Sequence, residues 1–384
     1  MAFNELNSVE HYIINQMSGL NLNASHESNQ VNEPRSQYSA QWQFQSAEQL
    51  GRSVNEVLIE SQVKAALLRL NPDIQANPAL ADEVIHALRA ILISVNQVGL
   101  VKANEEFFQW LTGEKTMPFG KNNHHVSIRL IDFENLDNNQ YVITNQFRIH
   151  YRETKIPDIV MIINGIPVVV GEAKTPIRPS VSWLDGAHEI HNIYENAVPQ
   201  LFVPNILSFA TEGKEFFYGS VRCPLEFWAP WRLSNDDDAI ARSFGLGGVA
   251  KELKDLLNPA RLLDIMRNFS LFSSNKKKQR MKIIPRFQQY EGANKIVERV
   301  VEGKIKKGLI WHFQGSGKSL LMVFAAQKLR REAKLKSPTV IVLVDRTDLD
   351  TQISGIFNAA DIANVESTES IRELQQMLER DTRK

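Results

Sequence analysis

Two short aliphatic runs, residues 159–163 and 166–170, flank Asn164-Gly165 and set the fold class of this 384-residue chain. Runs rich in Val and Ile favour extended backbone, and Asn-Gly is a strong local signal for the tight turn of a hairpin. Neither run alternates apolar with polar residues, so both faces of the hairpin are expected to be covered, as in a sheet sandwiched by helices. Charged residues appear only where the runs end: Asp158 before the first, Glu172 and Lys174 after the second. An unpaired ion at the rim of an apolar sheet is costly. A trio placed there needs a partner, and a divalent metal ion is the simplest.

Side chains alternate along a strand, so Glu172 and Lys174 share one face while Ala173 points the other way. Asp158 joins them only in one register. A two-residue Asn-Gly loop with regular pairing sets position 158 opposite 171, which turns Asp158 away from Glu172. A three-residue loop, Ile163-Asn164-Gly165 with Gly165 left-handed, sets 158 opposite 170 and gathers all three. Convergence therefore requires the longer loop or a bulge in one strand.

Hard carboxylate oxygens suit Mg²⁺, which takes one or two of them together with water and substrate phosphate. Held by Asp158 and Glu172, such an ion would polarise a scissile phosphate and acidify water. Lys174 would orient that water or offset developing negative charge. The alternative for the same residues is a structural ion cluster.

Pro157-Asp158, followed by Glu172-Ala173-Lys174 after a valine run, resembles the PD-(D/E)xK nuclease motif. The longer run from Pro157 to Lys174 resembles the nuclease domain in the motor (R) subunit of type I restriction enzymes. The resemblance implies that Asp158 and Glu172 bind Mg²⁺ and that Lys174 assists the nucleophile. It also implies an upstream helical Glu, a place that Glu10 matches; on its own, Glu10 reads equally as a solvated helix position. Many such nucleases carry Gln-x-x-x-Tyr on the helix after the Lys strand. Here Glu189 stands for the Gln and Tyr194 comes one place late, so neither is assigned a role.

A second signal lies downstream. Residues 308–311 form an apolar run before His312-Phe-Gln-Gly-Ser-Gly-Lys-Ser319, and a helical pattern follows from Leu320 to Arg330. Strand, glycine loop closing on Lys-Ser, then helix is the setting of a phosphate-binding loop. Gly315, Ser316 and Gly317 would let backbone amides curl round the phosphates of ATP at a helix N-terminus. Lys318 would reach the terminal phosphates, and the Ser319 hydroxyl would bind the accompanying Mg²⁺. His312 stands where the general pattern has Gly.

Residues 284–293 resemble the Q-motif region of superfamily 2 helicases, which implies that Gln288 or Gln289 reads the adenine edge. Residues 339–345 read as a buried strand. The stretch 345–352 resembles the one after the first helicase strand pair in restriction motor subunits. Arg346 follows Asp345 where Walker B has Glu, so Asp345 is read as part of that stretch. A complete motor also needs an Asp-Glu-Ala-His box and a second RecA-like lobe. The chain is therefore expected to be the N-terminal portion of a motor subunit, binding ATP weakly without hydrolysing it or translocating.

Composition narrows the classes. With 43% hydrophobic and 23% charged residues the chain is ordinary for globular domains, and its length suits two or three of them. A lone cysteine, Cys223, excludes an internal disulfide framework and fits a reducing cytoplasm. No run approaches the ~18 apolar residues of a membrane helix, and the start resembles no signal peptide. Net charge is zero, yet residues 276–307 hold eleven Lys or Arg against three Glu. That run is either a DNA-backbone contact or a solvated linker.

A short helix is expected before residue 25, then a Ser-, Gln- and Asn-rich stretch at 26–50. An amphipathic helix from Ser53 to Leu70, stopped by Asn71-Pro-Asp, and a second helix at about 79–95 follow. Strands are expected between His125 and Phe147 and between Gln200 and Tyr218. Phe227 to Trp231 reads as an aromatic cap, and Asp236 to Asp238 as a solvated boundary loop.

The fold class is α/β. A mixed-sheet PD-(D/E)xK-like endonuclease domain is expected over 1–235, a linker with bridging helices over 236–279, and the first part of a RecA-like parallel-sheet, ATP-binding lobe over 280–384. The resemblance implies an Mg²⁺-dependent endonuclease that cleaves unmodified double-stranded DNA in the cytoplasm, joined to specificity and methyltransferase subunits. Two other readings stand beside it: a standalone helicase-like nucleotide-binding protein, and a non-catalytic DNA-binding assembly module.

Overall fold

The two aliphatic runs form adjacent antiparallel strands, and a sheet is built outward from them. The structure, a computed structural model, describes residues 9–23, 40–175, 180–232, 246–274, 278–336, 338–344, 355–357 and 366–380. The chain divides into two compact units: residues 1–270 with 280–287, and residues 271–279 with 288–384.

The first unit carries a seven-stranded mixed sheet whose strands lie side by side in chain order. They are β1 (Gln43–Phe44), β2 (Tyr141–Asn145), β3 (Ile159–Ile163), β4 (Ile166–Ala173), β5 (Leu207–Thr211), β6 (Phe216–Gly219) and β7 (Ala229–Pro230). β1 runs parallel to β2 and β4 parallel to β5, and the remaining neighbours are antiparallel. Every residue of β3 and β4 is buried, as uninterrupted apolar strands require. Of the strands expected between His125 and Phe147, only β2 joins this sheet. Val126–Ser127 pairs instead with Thr116–Met117 in a separate ribbon.

Helix α1 (His11–Ser18) packs on β1 and β2. α2 (Glu60–Leu70) starts seven residues later than the amphipathic pattern from Ser53 suggested, by simple difference of the two positions. The reason is local: the Ser53 amide donates to Glu56 Oε2 at 2.8 Å and the Arg52 guanidinium donates to the Glu56 carbonyl at 2.8 Å, which holds 52–56 in a turn. Asn71-Pro72 ends α2, but Pro72 also opens a short helix, Pro72–Ala76, because proline suits a first helical turn. α3 (Leu80–Val98) and α4 (Leu100–Leu111) follow and pack together.

α5 begins at Trp183–His188, where Ser182 and Asp185 form a reciprocal capping box. It continues through a π-helical turn, Glu189–Tyr194, into a last turn at Glu195–Ala197. Its first segment lies on β4 and β5. Gly186 permits that approach: a Cβ there would meet Ala210 Cβ at 3.2 Å and Glu172 Cγ at 3.3 Å. α6 (Leu246–Leu256) and α7 (Pro259–Asn268), expected as bridging helices, belong to this unit, with α6 against α1 and β6.

In the expected aromatic cap, Trp228 and Trp231 are buried, and their indole N–H groups donate to the Cys223 carbonyl and to Asp255. They serve packing; Phe227 alone of the three aromatic residues is exposed. Asp236, Asp237 and Asp238 lie outside the described residues.

The second unit departs from expectation. It has α8 (Phe287–Glu302), α9 (Lys318–Arg331) and α10 (Ile371–Glu379), but residues 308–311 and 339–344 form no strand. Their side chains are open to solvent: Leu309 is 89%, Trp311 88% and Leu343 92% exposed. A parallel strand is stabilised only through neighbours along both edges and a helix layer on each face. Among the described residues these runs have no such neighbours, so the expected parallel sheet is not formed there. Asp345 and Arg346 through Gln352 lie outside the described residues.

The Asn164-Gly165 turn anchors the first unit. Asn164 and Gly165 both adopt positive φ, 51° and 81°, as a two-residue type I′ turn needs. The Asn164 amide donates to the Leu130 carbonyl at 2.9 Å and to Asn139 at 2.8 Å, and the Ile59 amide donates to the Gly165 carbonyl at 2.8 Å. A Cβ on Gly165 would lie 2.5 Å from the Ile59 carbonyl oxygen. Gly165→Ala should therefore lower unfolding free energy by roughly 2 kcal/mol in chemical denaturation. A loss below about 0.5 kcal/mol, the usual scatter of surface changes, would contradict this account of the turn.

Candidate active site

The hairpin loop is the short one, yet Asp158 and Glu172 still share a face. Near the turn, Ile163 pairs with Ile166 and Ile162 with Pro167; beyond it, Met161 pairs with Val169 and Ile159 with Gly171. The register slips by one residue between Met161 and Ile162, which leaves Val168 as the extra residue of a bulge in β4. The Val168 carbonyl is not wasted, because it accepts from the Ile206 amide at 2.7 Å at the start of β5. Continued outward, the shifted register sets Asp158 opposite Glu172. The bulge, one of the two devices that convergence required, does what the longer loop would have done.

Asp158 is fixed by the Ala173 amide, which donates to its Oδ2 at 2.8 Å. Glu172 is 2% exposed. The Lys174 ammonium donates to Glu172 Oε1 at 2.8 Å and to Glu189 Oε2 at 2.5 Å. The Tyr194 hydroxyl donates to Glu189 Oε1 at 2.9 Å and reaches Glu172 Oε1 at 3.4 Å. Glu189 and Tyr194, set aside on sequence grounds, thus belong to the constellation. The π-helical turn explains why: its i→i+5 spacing brings residues five apart onto one face, absorbing the place by which Tyr194 is late.

Glu10 lies at the start of α1 and is 2% exposed. The Gln146 side-chain amide donates to its two oxygens at 3.1 and 3.0 Å and to Asp158 Oδ1 at 3.4 Å. Glu10 is therefore a buried neighbour of Asp158 across one amide, not a solvated residue. Gln146 had no signal in the sequence. Its backbone is left-handed, φ 52°, a conformation that a non-glycine residue holds only when its surroundings enforce it.

Electrostatics follow from burial. Desolvation pushes the Asp158 carboxyl up to about 6, against the pull of the Ala173 amide and Lys174. Desolvation, reinforced by the Asp158 charge, pushes Glu172 well above the usual carboxylate range. Burial works against the Lys174 ammonium, but Glu172 and Glu189 outweigh it and hold the ammonium more firmly protonated than usual. Glu189 ends below its ordinary value because its bonds to Lys174 overcome desolvation. Two carboxylates brought to one desolvated place repel each other unless a proton or cation intervenes.

The donor set fits Mg²⁺. Glu172 Oε2 is buried without a hydrogen-bond partner, an acceptor with no protein donor to satisfy it. Among the described residues no group of three or more His, Cys, Asp or Glu is gathered as a metal cage. An ion here would rest on the Asp158 and Glu172 oxygens and complete its shell with water and phosphate, which is how Mg²⁺ is commonly held.

In the second unit, Gly315 and Gly317 take positive φ, 83° and 81°, and α9 starts at Lys318. The Lys318 ammonium donates back to the His312 and Phe313 carbonyls, both at 3.1 Å, curling over its own loop. Ser316 is fully buried, and Ser319 lies in the first turn of α9. Gln289 is buried and its amide donates to the Gly317 carbonyl at 3.1 Å; Gln288 makes no such contact with the loop. Gln289 is thus the glutamine tied to the glycine loop. The loop and helix suit a polyphosphate, although the strand expected before them is not formed.

The basic run is not one continuous stripe. Arg280 pairs with Glu105, with Nε to Oε2 at 2.9 Å, and Lys282 is buried with its ammonium on the Asn205 carbonyl at 2.6 Å. Burial pushes Lys282 down to about 7. Lys276 and Lys277 lie outside the described residues, while Lys304, Lys306 and Lys307 are exposed. No described helix is long and apolar enough to cross a membrane.

Residues 26–227 match the family described as type I restriction enzyme R protein N terminus, and residues 288–384 match the SWI2/SNF2 ATPase family. The chain is 32% identical over 313 residues to the type I restriction enzyme HindI endonuclease subunit of Haemophilus influenzae, covering 79% of this chain and 29% of that protein. It is 31% identical over 263 residues to the putative type I restriction enzyme MjaVIIIP endonuclease subunit of Methanocaldococcus jannaschii, covering 66% of this chain and 25% of that one. The chain thus spans less than a third of the length of these relatives.

Protons would compete with a cation held by Asp158 and Glu172: the Asp158 carboxyl is pushed up to about 6, and Glu172 is raised well above the usual carboxylate range. The sign is fixed by the direction of the shift. In the metal-free chain, the stability contribution of a raised carboxyl is present below its ordinary value and is lost as pH rises through about 6 for Asp158. Mg²⁺ affinity must change in the opposite sense. Calorimetric titration should show it weakening at least about tenfold from pH 7 to pH 5. A pH-independent affinity over that range would contradict the assignment.

Proposed function

The chain belongs to the family of type I restriction enzyme R protein N termini, and on that premise we propose that its first unit is an Mg²⁺-dependent DNA endonuclease centred on Asp158, Glu172 and Lys174. The observation that carries the reading is the convergence of a buried carboxylate, Glu172, a half-buried one, Asp158, and an ammonium on one face of a bulged hairpin. The proposed substrate is unmodified double-stranded DNA, met together with specificity and methyltransferase subunits in the cytoplasm. The second unit is proposed to bind ATP through Gly315, Ser316, Gly317, Lys318 and Ser319, with Gln289 bracing the loop.

Mg²⁺ bound by Asp158 and Glu172 would supply charge against the phosphate and a water of lowered pKa. The protein's own groups do the remainder. Ala173 fixes the Asp158 carboxylate through its amide, and burial strengthens each electrostatic contact at the site. Two of the three Lys174 N–H bonds go to Glu172 and Glu189, which leaves one to hold the attacking water or a phosphoryl oxygen. As the water oxygen bonds to phosphorus, an ester oxygen departs and takes up a proton, giving a phosphate end and a hydroxyl end. Lys174 offsets the negative charge that grows on the non-bridging oxygens. Glu10 and Gln146 buttress Asp158 from the α1 side.

Asp158→Ala and Lys174→Ala should each reduce Mg²⁺-dependent nicking of unmodified supercoiled DNA by about 100-fold or more, read as conversion to open-circle and linear forms. Cleavage that survives both substitutions would eliminate this site. DNA affinity that is equal with and without Mg²⁺, with no nicking, would favour the non-catalytic assembly module instead.

A further inference from the structure

A lysine two residues from a glutamate on the same strand face has an obvious partner, and it is the wrong one for catalysis. Glu172 must release its charge to a cation, yet by itself the Lys174 ammonium would be drawn fully onto it. The structure supplies a second carboxylate from another element. Glu189, on the π-helical turn of α5, stands 2.5 Å from the Lys174 ammonium, closer than Glu172 at 2.8 Å. Its other oxygen accepts from the Tyr194 hydroxyl at 2.9 Å, which fixes the orientation of the carboxylate.

The backbone is adapted to this contact. In an α-helix, residues five apart point about 140° away from each other, and Tyr194 could not meet Glu189. The π turn brings them together, and such turns are uncommon and cluster at functional sites. The turn is held at both ends: Ser182 and Asp185 cap the start of α5, and the buried Glu195 accepts from the Arg222 amide at its end.

We propose that Glu189 is a positioning residue for Lys174, holding its ammonium through an ion pair that the Tyr194 hydroxyl aligns and that persists when Glu172 turns its charge to Mg²⁺. The proposal rests on the nuclease reading above. It assigns Glu189 no role as a metal ligand. It also explains how an acidic residue can stand where related nucleases carry glutamine: either side chain offers Lys174 an acceptor oxygen, and a carboxamide can donate to the Tyr194 oxygen in turn.

The test uses the full 384-residue chain, labelled with ¹⁵N at lysine, and the Lys174 ammonium resonance identified by its loss in Lys174→Arg. The resonance should persist in the wild type with and without saturating Mg²⁺, disappear in Glu189→Ala, and return in Glu189→Gln. Single-turnover DNA cleavage at saturating Mg²⁺ should fall about tenfold in Glu189→Ala and stay within about threefold of wild type in Glu189→Gln, since the geometry is kept. An ammonium signal indifferent to Glu189→Ala, or an unchanged cleavage rate in that variant, would overturn the proposal. So would a tenfold rise in the Mg²⁺ concentration for half-maximal rate in Glu189→Gln, which would make Glu189 a ligand. Asp158→Ala, measured alongside, separates the two levels. If it cleaves normally, the nuclease reading falls and this proposal with it. If it is inactive while Glu189→Ala is normal, only the positioning role falls.

Discussion

One extra residue in β4 decides what the rest of the first unit can do. Without the bulge at Val168, the two-residue turn would pair Asp158 with Gly171 and send its carboxylate to the face opposite Glu172. With it, two acidic side chains from neighbouring strands come to one place beneath α5. The bulge is not a local accident. The Val168 carbonyl feeds the parallel strand β5 through Ile206, and β5 in turn places Ala210 under Gly186, where the helix must approach closely. Sheet register, strand order and helix packing are one linked arrangement.

That arrangement stores an electrostatic conflict. Desolvating Asp158 and Glu172 side by side disfavours ionising both, and each is pushed upward by desolvation. Lys174 relieves part of the conflict, the Glu189 charge works against that relief, and Gln146 ties Asp158 to Glu10 with a neutral amide. What remains is an unsatisfied oxygen on Glu172 and a carboxyl poised near neutrality. On the proposed reading a small, hard cation would resolve both, so that the stability of the metal-free site and its affinity for a cation would depend on the same two groups.

Much of this was legible in residues 155–174. The apolar runs announced buried strands, Asn164-Gly165 announced the turn, and the need for a bulge or a longer loop followed from the two-residue period alone. Which of the two devices was used could not be read, because Val168 is as apolar as its neighbours and nothing marks it as unpaired. Gln146 was invisible for a related reason: its role comes from a left-handed backbone and a contact 136 residues away with Glu10. Glu189 and Tyr194 depart from the Gln-x-x-x-Tyr pattern, and the π-helical turn that brings both beside Lys174 is not marked in the sequence. In the second unit, the apolar runs at 308–311 and 339–344 signalled strands that the described residues do not form. Local propensity for a parallel strand counts for little without strands on both sides.

The central claim is that Asp158 and Glu172 together grip one divalent cation. Manganese is close enough to magnesium in its preference for oxygen ligands to stand in for it, and it scatters anomalously. Diffraction from crystals grown with Mn²⁺ should place a single anomalous peak within coordination distance of both carboxylates, with Lys174 still beside Glu189. A peak elsewhere, or none at this hairpin in crystals where the two side chains are well ordered, would contradict the account.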